Sequence, residues 1–176
     1  IVCQKLDSLG GSWSEGTYIG LDGEKAQDKE WSAVDRKNGN LYLTWTQFDK
    51  YGSNRRADSS TILFSRSTDN GASWTTPTRL NRYAGDCLDK DTTVEGAVPA
   101  IGPNGEVYVS WVGKEGIWFD RSFDYGSTWL ADDIFVTNVP GGWDYNIPGI
   151  SRCNGLPITA CDLSNGPNKG TIYINW

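Results

Sequence analysis

The sequence lacks histidine and methionine, and its four cysteines form no C-x-x-C motif. Without His, neither a Cys–His nor a Ser–His catalytic pair can form, and the scattered cysteines argue against a zinc site. No run of 18 apolar residues is present, so we expect no membrane insertion. No basic segment followed by an apolar segment opens the chain, so no signal peptide is visible.

The chain also lacks any basic or acidic block, and its formal net charge is −6. Because phosphate backbones bind to basic surfaces, we expect no nucleic-acid partner. The mixed charges indicate ordinary solubility. Since no Met opens the chain and it stops at Trp176, inside the alternating run 171–176, we expect a processed form or a fragment.

The even cysteine count in a Trp- and Gly-rich chain predicts disulfides and an extracellular or cell-surface location. Cys153 and Cys161 flank the turn-like segment 154–157, so we expect them to pair, which leaves Cys3 with Cys87. The alternative is four buried free thiols.

What is abundant is glycine and aromatic residues: 21 Gly, 9 Trp and 8 Tyr. This mixture favours short twisted strands joined by tight turns. A glycine turn followed by an alternating strand recurs three times, ending at Trp45, Trp111 and Trp176, at intervals of about 65 residues. Asn-Gly in the first two copies predicts β-hairpins.

A second repeat, S-x-D-x-G-x-x-W, is interleaved with the first. In such a turn the Asp carboxylate can accept hydrogen bonds from backbone N–H groups, the Gly can adopt a positive φ and the Trp can bury a large apolar area. The alternative is a calcium or sugar site built on Asp69. The two copies comprise Ser67, Asp69, Gly71 and Trp74, and Ser122, Asp124, Gly126 and Trp129.

Each unit therefore has four strands, which predicts an all-β fold: a partial β-propeller of about two and a half four-stranded blades. A β-sandwich is the rival architecture. We expect the end of a preceding blade with its connecting loop at 1–27, complete blades at 28–82 and 83–139, and an incomplete blade at 140–176.

On these two motifs the chain resembles the Asp-box (BNR-repeat) sialidase superfamily, over about residues 28–176. Segments 28–31 and 141–148 look like those of secreted bacterial sialidase-like proteins, which implies a fragment of such a protein. The same box occurs in sortilin-type receptors, photosystem assembly factors and xyloglucan-active enzymes. The resemblance implies a site at the central axis, away from the boxes, with three arginines, a Tyr–Glu pair and an acid/base Asp. The Arg-Ile-Pro motif of true sialidases is absent.

The candidate chemistry is a set of carboxylates. Aligning the units places Asp28 and Glu95 at one point before the inner strand, and Asp144 at roughly the same place in the third unit. Paired carboxylates are typical of glycoside hydrolysis, which makes Asp28 and Glu95 the candidate catalytic residues, and they could also hold Ca²⁺. No other cofactor is expected. The alternative is that these acids cap loops or pair with arginines.

Four further residues are candidate ligand contacts. Trp143 and Tyr145 could stack on a sugar ring, or pack their loop onto a blade. Arg55 and Arg56 lie in the long loop 49–60 and could bind an anion, or be solvated surface charge.

Two functions follow. The first is an extracellular carbohydrate-active propeller, a sialidase-like glycoside hydrolase or a glycan-binding fragment, with a glycan or glycoprotein as partner. The second is a non-catalytic propeller, a protein-binding or structural module that meets the remaining blades or other chains of a surface assembly.

Overall fold

Alternating apolar and polar residues between glycine turns make this an all-β protein. The computed structural model describes residues 1–176 and contains fourteen strands and no helix, hence no helix that could cross a bilayer. The strands are β1 Val2–Cys3, β2 Thr17–Tyr18, β3 Ala26–Val34, β4 Leu41–Phe48, β5 Ser60–Ser67, β6 Thr78–Arg79, β7 Glu95–Ile101, β8 Val107–Gly113, β9 Gly116–Ser122, β10 Ile134–Thr137, β11 Asp144–Tyr145, β12 Cys153–Asn154, β13 Ile158–Cys161 and β14 Ile172–Asn175.

Two antiparallel four-stranded sheets form the body of the protein. Strands β3-β4-β5-β6 follow one another across the first sheet and β7-β8-β9-β10 across the second. The predicted hairpin turns separate the first two strands of each sheet, with Gly39 at φ 78° and Gly105 at φ 91°. The repeating pattern of four strands was thus correctly predicted from the sequence.

The core lies between the sheets. Tyr42, Ile62 and Phe64 of the first sheet form one buried cluster with Val109 and Trp111 of the second. Strand β7 contacts β3 and β4 on one side and β13 on the other. The first strands of successive units are therefore neighbours in space.

The third unit contains only the two-stranded pairs β11-β12 and β13-β14. The three tryptophans of the repeat differ accordingly. Trp45 and Trp111 are fully buried, whereas Trp176 is 51% exposed.

The two S-x-D-x-G-x-x-W turns have the same geometry. Asp69 Oδ1 accepts hydrogen bonds from Ser67 Oγ (2.7 Å) and the Ser73 amide (2.9 Å). Asp124 Oδ1 likewise accepts from Ser122 Oγ (2.7 Å) and the Thr128 amide (2.8 Å). The Ser73 hydroxyl, which donates to Asp69 Oδ2, lowers the pKa of Asp69 most, and with the other donors brings it to about 2; Ser122 and Thr128 lower the pKa of Asp124 to about 2 in the same way. The carboxylates are therefore occupied in holding the turns closed, as the structural interpretation predicted.

The second turn docks on the first sheet. Trp129 packs edge-on against Phe64, with ring centroids 4.9 Å apart. Arg66 Nη1, on β5, donates to Tyr125 O (2.6 Å) and to Ser127 Oγ (2.9 Å). The second four-stranded unit is thus fastened to the first.

The four cysteines are free thiols, so the predicted disulfides are not formed in this structure. Cys3 lies on β1 and packs against the cluster of Leu43 and Trp45. Cys161 packs instead against the cluster of the second sheet, and Cys87 is completely buried. Cys153 and Cys161 lie on β12 and β13, which belong to different sheets.

Alkylation should report this directly. Unfolding in urea without reductant, in the presence of iodoacetamide, is expected to add four carbamidomethyl groups, because all four thiols are free. Under native conditions Cys87 should react last, since it is fully buried and burial raises its pKa. Intact-mass spectrometry with peptide mapping checks both statements. An unreduced chain that takes up two groups or none would contradict them.

Candidate functional site

The predicted carboxylates lie at the end of the sheets opposite the Asp turns. Asp28 pairs with Thr46 at the end of β4, and Glu95 pairs with Val112 at the end of β8. A β-bulge follows each acid, with Lys29 at φ 51° and Gly96 at φ 69°. The two acids therefore occupy the same position in neighbouring sheets.

Lys29 joins the two carboxylates. Its Nζ lies 3.0 Å from Glu95 Oε1 and 3.5 Å from Asp28 Oδ2. The Glu95 side chain is completely buried, whereas that of Asp28 is 43% exposed and that of Lys29 is 19% exposed. Neither Glu95 oxygen receives a hydrogen bond of good geometry, so the ion pair with Lys29 is its one polar contact.

This environment changes the acidity of Glu95. Burial raises its pKa from 4.5 to about 7, against the opposing effect of Lys29 and with the help of the negative charges of Asp89 and Asp28. The group is therefore close to half-protonated at neutral pH. A carboxyl with such a pKa is suited to proton transfer, although here it has no access to solvent.

A second ion pair lies beside the first. Arg152 Nη2 donates to Asp89 Oδ1 at 2.9 Å, and the Tyr51 hydroxyl donates to Asp89 Oδ2. The ring of Tyr51 is held edge-on against Phe48, with centroids 5.2 Å apart. These groups come from three different loops. We call the set Asp28, Lys29, Tyr51, Asp89, Glu95 and Arg152 the rim cluster.

The rim cluster offers both donors and acceptors to a ligand. Its accessible groups are the Asp28 carboxylate, the Arg152 guanidinium (48% exposed) and the partly exposed Lys29 ammonium. Hydroxyl-rich ligands require donors and acceptors side by side. With three carboxylates and two cations the cluster does not carry the positive charge that an anionic ligand would favour.

The structure corrects the predictions for the third unit. The pair Ile158–Asn175 corresponds to Trp31–Thr44 and Val98–Ser110, so Asp144, 14 residues before Ile158, does not lie at the position of Asp28 and Glu95, three residues before Trp31 and Val98. Asp144 lies on β11 and pairs with Asn154 of β12. The backbone amide of Asp144 donates to Asp91 Oδ1 at 2.9 Å. The length of the preceding loop differs between units, so counting back from the repeat misplaced this acid.

Trp143 does not act as an exposed sugar platform. It is 1% exposed and packs with Val112 and Ile117 in a hydrophobic cluster. Tyr145 is half-buried, and its hydroxyl lies against the backbone of Gly155. Its binding role remains a prediction.

Arg55 and Arg56 are exposed and form no ion pair. They line an open depression of about 550 Å³. Two acids also line this depression. Asp58 accepts a hydrogen bond from the Ser53 hydroxyl, and Asp86 accepts hydrogen bonds from the Thr92 and Thr93 hydroxyls. No contact ties either arginine to the rim cluster, so their anion-binding role also remains a prediction.

Sequence reasoning missed four members of the rim cluster. Lys29 directly follows Asp28, and its equivalence to Gly96 in the unit alignment would have indicated a special backbone position. Tyr51, Asp89 and Arg152 lie outside the repeated segments, where the alignment carries no information. No three acidic or cysteine side chains lie close enough to hold a metal ion, so the structure gives the predicted Ca²⁺ option no support.

Comparison with known proteins gives likenesses in structure and none in sequence. No family model and no curated protein matches the chain. Among solved structures the chain is similar to "Hadza microbial sialidase Hz136", with a TM-score of 0.47 and 15% sequence identity. The match covers 67% of this chain and 28% of that one, so this chain spans little more than a quarter of the sialidase's length.

Proposed function

We propose that this chain is part of an extracellular or cell-surface carbohydrate-active β-propeller and that the rim cluster binds a glycan. The observation that carries the proposal is the meeting of Asp28 and Glu95 on Lys29 at matching positions of neighbouring sheets. In this interpretation the two four-stranded sheets are blades, and residues 140–176 begin a third.

The strand arrangement supports the propeller. A propeller blade is a four-stranded antiparallel meander, and the first strands of successive blades line a central axis. Here both meanders run in chain order, and β7 contacts β3, the first strand of the preceding unit, and β13, a strand of the third unit. The rim cluster would then open at one end of the axis, with the Asp turns at the other.

The chemistry of the cluster favours glycan binding by this chain over hydrolysis by this chain alone. Glycoside hydrolysis uses two carboxyl groups that both reach the substrate. Asp28 is accessible, but Glu95 is buried beneath Lys29. Asp28 is therefore the proposed ligand contact, and Glu95 is the residue that positions Lys29. Hydrolysis would require a further accessible carboxyl group in the complete protein.

A non-catalytic module is the second candidate. The internal pairing of Lys29 with two acids and of Arg152 with Asp89 favours it, because paired groups can serve structure alone. Such a module would bind a protein through other surfaces and would leave the rim cluster empty.

Isothermal titration of the 176-residue chain with lacto-N-tetraose, a xyloglucan heptasaccharide and 3′-sialyllactose tests the proposal. Asp28→Asn should weaken binding by about tenfold or more, since a hydrogen bond to a charged group contributes about 1.5–3 kcal/mol. Glu30→Gln, an exposed neighbour, is the matched control and should leave affinity unchanged. Absence of binding by the folded chain, with no release from chromogenic glycosides, would favour the non-catalytic module.

A further inference from the structure

A second cavity adjoins the rim cluster, since Val94 in its lining precedes Glu95, but it shares no residue with the cluster. It has a volume of about 440 Å³ and opens between the segment that follows β6 and the hairpin joining β8 to β9. This volume is within the roughly 300–1,000 Å³ of small-molecule sites. We call it the aromatic cleft. The residues on which its chemistry depends are Tyr83, Thr92, Lys114, Glu115, Trp118 and Asp133.

Two aromatic rings form its walls. Tyr83 is 65% exposed, and its ring centroid lies 6.3 Å from that of Trp118 at an interplanar angle of 53°. Phe135 supports Trp118 from another side, edge-on at 5.1 Å. Gly113 also lines the cleft, where a Cβ would lie 3.3 Å from Val94 Cγ1 and 3.4 Å from the indole Nε1 of Trp118.

The backbone of the cleft is fixed by hydrogen bonds. The Arg82 amide donates to Asp133 Oδ2 at 2.8 Å, and its guanidinium lies 5.9 Å from the ring centroid of Tyr83. The buried Asn81 side chain donates to Tyr83 O at 2.7 Å and accepts from the Ile62 amide at 2.7 Å. The cleft is therefore preformed, which lowers the entropic cost of binding.

Hydrogen-bond donors and acceptors surround the two aromatic rings. Lys114 supplies a cationic donor, Glu115 and Asp133 supply carboxylate acceptors, and Thr92 supplies a hydroxyl that can do either. Asp133 uses one oxygen for Arg82, and its other oxygen receives no hydrogen bond from the protein. An occupant must therefore present an apolar face to the rings and hydroxyl groups at its edge.

We propose that the aromatic cleft is a binding site for a neutral pyranose unit of an oligosaccharide. A pyranose has a C–H face that can lie on Tyr83 and Trp118, and equatorial hydroxyls that can reach Glu115 and Lys114. An apolar peptide side chain could pack against the two aromatic rings, but it would leave the surrounding hydrogen-bond donors and acceptors unpaired. The site does not depend on the function proposed for the rim cluster.

The test uses the indole ¹⁵N–¹H signal of Trp118, assigned by its loss in Trp118→Phe. Lacto-N-tetraose, cellotetraose or chitotriose at millimolar concentration is expected to shift this signal in the 176-residue chain. Tyr83→Ala and Glu115→Gln should each weaken the fitted affinity by about tenfold. The matched control is Tyr173→Ala, a Tyr on β14 that is 51% exposed and outside the cleft, which should leave affinity within about twofold.

The failure of this site is distinguishable from that of the rim cluster. Asp28→Asn should leave the Trp118 shift intact. If sugar binding is lost in Asp28→Asn and retained in Tyr83→Ala, the cleft proposal is overturned and the rim cluster stands. A Trp118 signal that no sugar moves, or that moves with peptides alone, also overturns it.

Discussion

Lys29→Met is expected to lower the free energy of unfolding by about 2–3 kcal/mol at pH 8 and by less than about 1 kcal/mol at pH 5. The substitution keeps the length of the side chain and removes the one cation beside Glu95. At pH 8 the buried carboxyl must then either stay ionised without a partner or take up a proton against the solution pH. At pH 5 it is already protonated, so little is lost.

The sign of the pH dependence follows from the raised pKa. Below pH 4.5, the ordinary pKa of the group, Glu95 is protonated in both states and imposes no penalty. As the pH rises from 4.5 to about 7, the unfolded chain releases its proton first, and stability falls. Asp120 is also fully buried, and burial raises its pKa to about 6. It therefore adds a further fall in stability, which ends near pH 6. Removing Lys29 takes away the charge that opposes the raised pKa of Glu95, so in Lys29→Met the decline in stability should extend to higher pH than in the unmodified protein.

Urea unfolding at pH 5 and pH 8 measures the effect. Lys25→Met is the matched control, because Lys25 also pairs with two acids, Asp22 at 2.9 Å and Asp49 at 3.4 Å, but at the surface. Surface pairs contribute about 0–1 kcal/mol, so this variant should lose little at either pH. Equal losses for Lys29→Met at the two pH values would show that Glu95 does not titrate against Lys29.

Gly126→Ala is expected to destabilise the protein by about 3 kcal/mol, and Gly71→Ala by about 1 kcal/mol. Both glycines have φ 80°, so both substitutions place a side chain in the left-handed region and incur similar backbone strain. A Cβ at Gly126 would also lie 2.3 Å from Cζ of Phe64, whereas at Gly71 its nearest neighbour is Leu41 Cδ1 at 3.3 Å. The additional loss at Gly126 therefore measures the packing of the second turn on the first sheet.

Chemical denaturation of both variants gives the comparison. Adding Phe64→Leu to Gly126→Ala should recover part of the loss, because the smaller side chain relieves the contact; a double-mutant cycle isolates this coupling. The same Phe64→Leu change should not help Gly71→Ala. Losses of equal size at the two glycines would mean that Phe64 moves aside without cost.

What the sequence predicted well is what repeats within it. Gly39 and Gly105 close the expected hairpins, and Asp69 and Asp124 close the expected turns, because such features depend on a few residues adjacent in sequence. The equivalence of Asp28 and Glu95 was predicted because the strand pattern occurs in two copies. Aligning the two copies shows which residues occupy the same position of each strand.

What the sequence did not predict depends on loops that occur once. Asp89 and Arg152 are 63 residues apart, and no periodic signal connects them. Trp143 looks like an exposed loop aromatic, yet the amide of this residue is held by Asp91 at 2.8 Å and its ring is buried. The cysteines illustrate a related limit, since a turn-like spacing does not fix which sheet each thiol joins.

The anchoring of the second turn by Arg66 couples the two four-stranded sheets. The guanidinium belongs to the third strand of one sheet, and its acceptors belong to the turn of the next. The later sheet thus depends on the earlier one to complete its outer corner, while the first turn uses β2, where Thr17 Oγ1 accepts from the Trp74 indole at 3.0 Å. Because an inter-unit contact stabilises both of its partners, we expect the two sheets to unfold in one cooperative step rather than one after the other.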